Sequence, residues 1–348
     1  MAYEVDQAAQ SMKGKSCCVM SYDYLDLDVW LNIRCFYRSA GYRVTTNRCK
    51  ETDDLLVILR GHPCDQARRH RGPVHVYDYV KELKIDWREA LPAASEVVVI
   101  SIEPPSCSEG ARWVCGYLPV YPPLWQKRLA QKSARPVHIS NFKPMGEDHY
   151  QKELLELVRT GMVRVFGGRW ERAGVRASSL SHWQANRMLA ASSQCYGLMY
   201  PYQRGHTLSG RMWQAPINGC FVISEAGTNI LACPGIIEVE HFDGTPPRPS
   251  ISPGVCLDLA HQAREFWTGA TATLAHDLKL VIKQEPSGSA LVLQRLPLIT
   301  AHLGFLQGQI TSVLASVLLT PYRRARRCLG KAIRHLGLLS IWPSTRNR

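Results

Sequence analysis

Two short, uninterrupted apolar runs constrain this chain more than anything else in it: Asp54-Leu-Leu-Val-Ile-Leu-Arg60 and Glu96-Val-Val-Val-Ile-Ser-Ile102. Runs of this kind form strands buried on both faces, and such strands belong to parallel sheets covered by helices. Helical patterns flank them. Asp28 to Ala40 reads as a helix closed by Gly41 at a C-cap position, and Tyr77 to Ala94 reads as another, with Val80, Leu83, Ile85 and Trp87 among its apolar positions. Strands alternating with helices predict an α/β fold.

A second unit repeats the rhythm. Pro136 to Ser140 reads as a strand, and Glu147 to Thr160 as a helix with Tyr150, Leu154, Leu157 and Val158 on one face. Gly161 breaks that helix, and Met162 to Phe166 follows as a strand. Tyr196 to Tyr200 and Cys220 to Ser224 are further strands, with Ser209 to Asn218 between them. The Pro-rich stretch Pro119 to Pro136 reads as a linker. The expected organisation is an N-terminal Rossmann-like domain at 1–121, a second at 122–285 and a tail at 286–348. A chain of 348 residues suffices for two cores, and 45% hydrophobic against 20% charged residues describes a globular protein.

Charge sets the tail apart. The net charge is +13, yet Pro286 to Arg348 contains no acidic residue and nine basic ones. Beyond Pro321, Ala325, Leu329, Ala332, Ile333 and Leu336 fall on one helical face, and Arg323, Arg327, Lys331 and Arg334 on the other. A basic amphipathic helix of this type lies on an anionic membrane surface; a helix packed on its own domain with a solvated charged face is the alternative. Few aromatics interleave with these charges, so nucleic acid is not the expected partner. Residues Met1 to Lys15 lack the apolar core of a secretory signal. The expected location is therefore the cytoplasm, at the inner membrane face. The 12 cysteines then read as free thiols, because they form no C-x-x-C pair and no Cys/His array at zinc-finger intervals. Asp53-Asp54 reads as a solvated loop before a strand rather than a metal motif.

The segment from Gly205 to Ile230 runs loop, helix, strand, loop, an arrangement able to meet a phosphate and a sugar at the end of a parallel sheet. Its wording, Ser209-Gly-Arg-Met-Trp-Gln-Ala-Pro-Ile-Asn-Gly-Cys-Phe-Val-Ile223 followed by Gly227 and Asn229-Ile230, resembles the α1,3-fucosyltransferase donor signature T-E-K-(I/L)-W-x-A-L-x-A-G-x-(I/V)-P-(I/V). Pro234 to Asp243, Val137 to Lys143, Val163 to Gly167 and Ile102-Glu-Pro-Pro-Ser106 are similar to further blocks of that family, in the same order. The resemblance departs from the family at Ser209-Gly210-Arg211, which stands where Thr-Glu-Lys is usual, and at Pro216.

The resemblance implies a GT-B-like arrangement of two Rossmann-like domains facing a cleft. It also implies transfer of a sugar, fucose included, from a nucleotide-diphosphate donor to a glycan or lipid-linked glycan acceptor.

 A catalytically inactive member that only binds glycans or nucleotides is one alternative, and a basic-tailed nucleic-acid-binding protein is another. Inversion at the sugar carbon, a guanosine diphosphate carrier and the absence of any obligatory metal or cofactor are further implications. Transfer needs a base for the acceptor hydroxyl and positive groups for the leaving diphosphate. Glu103, at the end of a strand, is the candidate base, with a capping role before the Pro-Pro turn as the alternative. Arg211, Arg204, Lys143, Asn141 and Ser209 are candidates for the diphosphate side, and Glu225, Gly227 and Asn229 for the ribose or base. Solvated surface charge is the alternative for Arg204 and Lys143, and simple turn chemistry for Glu225 and Asn229. A dinucleotide oxidoreductase is disfavoured, because Phe166-Gly-Gly-Arg169 lacks the G-x-G-x-x-G spacing.

Overall fold

The computed structural model describes residues 14–20, 27–47, 49–59, 63–78, 85–105, 109–120, 132–133, 135–180, 182–243 and 251–282. The tail at 286–348, most of the linker, and Val80 and Leu83 lie outside the described residues. Among the described residues no helix is long and apolar enough to cross a membrane.

Six parallel strands form the first sheet: β1 (Ser16–Met20), β2 (Arg43–Thr46), β3 (Leu55–Ile58), β4 (Val74–Tyr77), β5 (Val97–Ser101) and β6 (Arg112–Cys115). Their spatial order is β2-β1-β3-β4-β5-β6. Every residue of β3, β4 and β5 is buried, as apolar runs covered on both faces must be. Helix α1 (Leu27–Ser39) places Val29, Trp30, Ile33, Phe36 and Tyr37 inward at helical spacing. It ends at Gly41, whose φ of 93° only glycine adopts readily, and Gly41 N–H closes on the Arg38 carbonyl at 3.0 Å. Two one-turn helices complete the unit, α2 (Asp65–Arg68) and α3 (Trp87–Ala90).

Here the structure corrects the expected helix at Tyr77 to Ala94. Tyr77 is the last residue of β4, and among the described residues of this stretch regular helix is found at α3. Ile85, Trp87, Leu91 and Ala94 are nonetheless core residues packed on Val74, Val76, Val97 and Val99. Their spacing reports burial rather than a long helix.

The second sheet contains β7 (Val137–Ile139), β8 (Arg164–Phe166), β9 (Gln194–Tyr196), β10 (Phe221–Glu225) and β11 (Ile236–Val239), all parallel, in the order β11-β10-β9-β7-β8. Strand β9 is shorter and earlier than the expected run Tyr196 to Tyr200. Helix α4 (His149–Arg159) is capped by Asp148, whose carboxylate accepts from Gln151 N at 2.9 Å. It buries Tyr150, Leu154 and Leu157 against Tyr196, Ile223 and Phe242. After α5 (His182–Ala191) and the one-turn α6 (Arg211–Gln214), a 3₁₀ turn at Pro216–Asn218 leads into β10. Pro216 therefore ends α6 instead of kinking a longer helix.

The long helix α7 (Pro253–Asp277) starts at the Ser252 cap and touches both sheets' surroundings. Arg264 donates to the Ile217 carbonyl at 3.3 Å, and Val120 N–H donates to Thr271 Oγ1 at 3.0 Å. Arg112 reaches the Asp277 carbonyl at 3.1 Å.

Two of the buried imidazoles, His75 and His138, have pKa values held far down. His75 Nδ1 lies 2.7 Å from Tyr37 Oη, and burial holds the ring's pKa down to about 4. His138 is held down to about 3 by burial and by the charge of Arg211. Both therefore fold neutral, while the unfolded chain takes up protons near the ordinary value of 6.5. Stability is expected to fall as pH drops from 6.5 toward 4, because the unfolded state then binds more protons. Urea unfolding across that range checks this, and a His138→Gln chain should show a shallower pH slope.

Candidate functional site

Strand order locates the site before any side chain does. The connections from β7 run first to β8 on one side and then back to β9 on the other, so the β7/β9 boundary is a topological switch point. Ligands of open parallel sheets sit beyond the strand carboxyl ends at such a point.

Arg211 occupies it. Its two terminal amino groups donate to the Ile139 carbonyl at 2.5 Å and the Leu198 carbonyl at 2.9 Å, at the ends of β7 and β9. Beneath it, His138 Nδ1 faces the Tyr196 carbonyl at 2.9 Å and so carries the proton; Nε2 then accepts from Ser140 Oγ at 2.8 Å. The Ser209 hydroxyl, two residues before Arg211, is buried and has no hydrogen-bond partner among the described residues. An unsatisfied buried hydroxyl is uncommon, and a polar ligand atom that reached this edge would satisfy it.

The loop after β7 is held by its neighbour. Asn141 Oδ1 accepts from Gly168 N at 2.7 Å, and a Cβ on Gly167 would stand 2.0 Å from the Ser140 carbonyl oxygen. Only glycine permits that approach, at a φ of 129°. Lys143 follows, exposed, its ammonium 4.5 Å from the Tyr200 ring centroid and 5.9 Å from that of Tyr202. The two tyrosine rings are parallel, with centroids 5.6 Å apart. A cation lying over stacked rings at the strand ends makes a shelf with both a flat apolar face and a positive edge.

Arg204, by contrast, is committed to an ion-pair hub. It meets Asp148 Oδ2 at 2.6 Å and Glu225 Oε1 at 3.1 Å, and donates to the Met199 carbonyl at 3.1 Å. Glu225 is wholly buried and also accepts from Met199 N at 2.7 Å and Ser224 Oγ at 2.9 Å. Burial raises the Glu225 pKa, and the hydrogen bonds and Arg204 oppose that rise. Burial also resists ionisation of Asp148, but Arg204 and the Gln151 N–H outweigh it and hold that carboxyl below its ordinary value. Asn229 folds back on its own turn, its Oδ1 accepting from Cys233 N at 2.7 Å. Gly227 turns the chain at a φ of 74°. Glu225 and Asn229 thus fix the shape of the loops, and Arg204 ties the β9 loop to the start of α4.

Glu103 follows β5, at the carboxyl edge of the other sheet. Its carboxylate meets His206 Nδ1 at 3.0 and 3.1 Å, and His206 stands in the loop after β9. Both side chains keep solvent access, at 36% for Glu103 and 53% for His206. An acid–base pair is therefore assembled from the carboxyl edges of two sheets. His206 carries no signal in the sequence, since a lone histidine between glycine and threonine has no diagnostic spacing.

Among the described residues two groups have ligand atoms within 4.8 Å of one another: Cys18, Cys49 and Asp53, all buried, and His149, Glu153 and His241 near the surface. In the second, His241 Nδ1 is already paired with Glu153 Oε1 at 2.8 Å.

Comparison with solved structures decides the fold. The DNA-modifying enzyme β-glucosyltransferase, crystallised with and without its substrate uridine diphosphoglucose, superposes with a TM-score of 0.52 at 11% identity, covering 76% of this chain and 97% of that one. This is the GT-B fold. T4 phage β-glucosyltransferase in complex with UDP and Mn2+ matches with a TM-score of 0.52 at 9% identity, over 77% of this chain and 100% of the other. A mutant O-GlcNAc transferase of Thermobaculum terrenum gives 0.50 at 14% identity, over 78% and 67%. No protein-family profile and no curated protein sequence matches the chain. In GT-B terms, Glu103 belongs to the carboxyl edge of one Rossmann-like sheet, and His206 and the shelf at Lys143 belong to that of the other.

Removing Arg204 strands two buried carboxylates. Arg204→Ala is expected to destabilise the fold by about 3–5 kcal/mol, measured by urea unfolding at pH 7. Little change would show the hub to be dispensable.

Proposed function

We propose that this chain is a glycosyltransferase that moves a sugar from a nucleoside-diphosphate carrier to an acceptor hydroxyl. The observation that carries this reading is the meeting of Glu103 with His206, an acid–base pair drawn from two carboxyl edges. In the proposed mechanism Glu103 takes the proton of the acceptor hydroxyl as the new glycosidic bond forms. His206 orients that carboxylate and, when protonated, supports its charge. Attack from the face opposite the departing diphosphate inverts the sugar carbon.

On the other side of the reacting carbon, Lys143 supplies positive charge for the diphosphate, and the Ser209 hydroxyl and Asn141 line the same edge. Arg211 acts through the main chain, its guanidinium holding the ends of β7 and β9 in register while its charge faces the same edge. Arg204, Glu225, Gly227 and Asn229 shape the loops that receive the nucleoside. The fucosyltransferase-like wording of Ser209 to Ile230 favours a guanosine diphosphate sugar, fucose among them. The solved structures with UDP or uridine diphosphoglucose make the uridine series the necessary comparison.

The test is a transfer assay with guanosine and uridine diphosphate sugars against a panel of glycan acceptors. Glu103→Gln should lower kcat by roughly 10²–10⁴ while the donor KM stays near that of the parent chain. Full turnover in Glu103→Gln would remove the proposed base, and no turnover of any donor by the parent chain would count against the reading itself.

A further inference from the structure

Asp53 was expected in a solvated loop, and the structure places it inside: it is 7% exposed, among thiols. Lys50 N–H donates to its Oδ2 at 2.7 Å. The Sγ atoms of Cys18 and Cys49 and a carboxylate oxygen of Asp53 lie within 4.8 Å of one another. Cys18 belongs to β1, while Cys49 and Asp53 belong to the crossover from β2 to β3. Cys64, at the start of α2, packs against the same core cluster and lies near enough to Cys49 to disfavour its ionisation.

A second observation comes from His70, six residues beyond Cys64. It is completely buried, and neither ring nitrogen makes a well-formed hydrogen bond. The ring senses the Asp53 charge and lies near the backbone of Pro73 and Lys50. A carboxylate, an imidazole and two thiols, with a third half-buried, have thus been withdrawn from water into a region otherwise lined by Leu56, Val74 and Ala67. Burying such groups is costly unless a partner compensates them. Thiols alone would pass as small apolar side chains. A buried carboxylate and an imidazole beside them would not.

We propose that Cys18, Cys49 and Asp53 form a binding site for a thiophilic divalent cation of the zinc class, with Cys64 or His70 moving in as the fourth ligand. Two thiolates, one carboxylate and an imidazole or third thiolate are a donor set that suits tetrahedral zinc. Binding releases one proton to solvent from each thiol that becomes a ligand, and no redox change is involved. Asp53 and His70 directly precede β3 and β4, so the site lies toward the amino-terminal edge of the first sheet. The Glu103 carboxylate stands at the opposite edge. The cation would therefore be structural, pinning the β2–β3 crossover and the segment before β4 onto β1.

Metal analysis of the full chain, purified without chelator, tests this. About one zinc per chain is expected, falling at least about tenfold in Cys18→Ser and Cys49→Ser and unchanged in Cys115→Ser, whose thiol is exposed. Chelator-treated parent chain titrated with Co2+ should develop the near-ultraviolet band of thiolate-to-cobalt charge transfer at one equivalent. That spectrum needs no variant, so it decides the matter even if a serine variant misfolds. A metal-free chain with no cobalt band would overturn the site. So would zinc retained in Cys49→Ser, or a Cys18–Cys49 disulfide in the purified chain.

Discussion

One guanidinium sets the geometry on which the rest of the site depends. Parallel strands leave their last carbonyls pointing out of the sheet without strand partners, and at the β7/β9 boundary those of Ile139 and Leu198 are both held by Arg211. A charged donor satisfying two carbonyls at once fixes the separation of the two loops that follow. From those loops come Asn141 and Lys143 on one side, and Tyr200, Tyr202 and His206 on the other. Burial, aided by the same charge, keeps His138 neutral beneath it, so the edge gains a positive field without a second buried cation.

A second, independent hub secures the outer side of these loops. Arg204 joins the cap of α4 to the end of β10 through Asp148 and Glu225. The division of labour between two arginines is clear from their partners: one contacts carbonyls at the β7/β9 edge, the other contacts carboxylates in the interior. What is left exposed is chemically selective, a lysine over stacked tyrosines and a carboxylate against an imidazole.

Much of this was legible in the chain itself. The runs at Leu55–Ile58 and Val97–Ser101 are apolar throughout because both of their faces are covered, and they pointed directly to a parallel sheet. Glu103 could be placed at a strand end for the same reason. Strand β4 was missed because His75 interrupts its apolar pattern and because the core positions Ile85, Trp87 and Leu91 mimic a helical period. Arg204 read as a diphosphate contact or a solvated surface charge, since nothing local reveals that Asp148 and Glu225 converge on it from 56 and 21 residues away. The thiol cluster escaped for a similar reason: its members lie on β1, a crossover and the start of α2, and only folding brings them together.

The central claim is that a sugar nucleotide lies across the β7/β9 edge opposite Glu103. A crystal structure of the full chain with a bound nucleoside diphosphate tests it most directly. The account predicts the diphosphate at that edge, within hydrogen-bond distance of Lys143 and the Ser209 hydroxyl, with the Glu103 carboxylate facing the space where a sugar would sit. A diphosphate bound elsewhere, with this edge unoccupied, would contradict it.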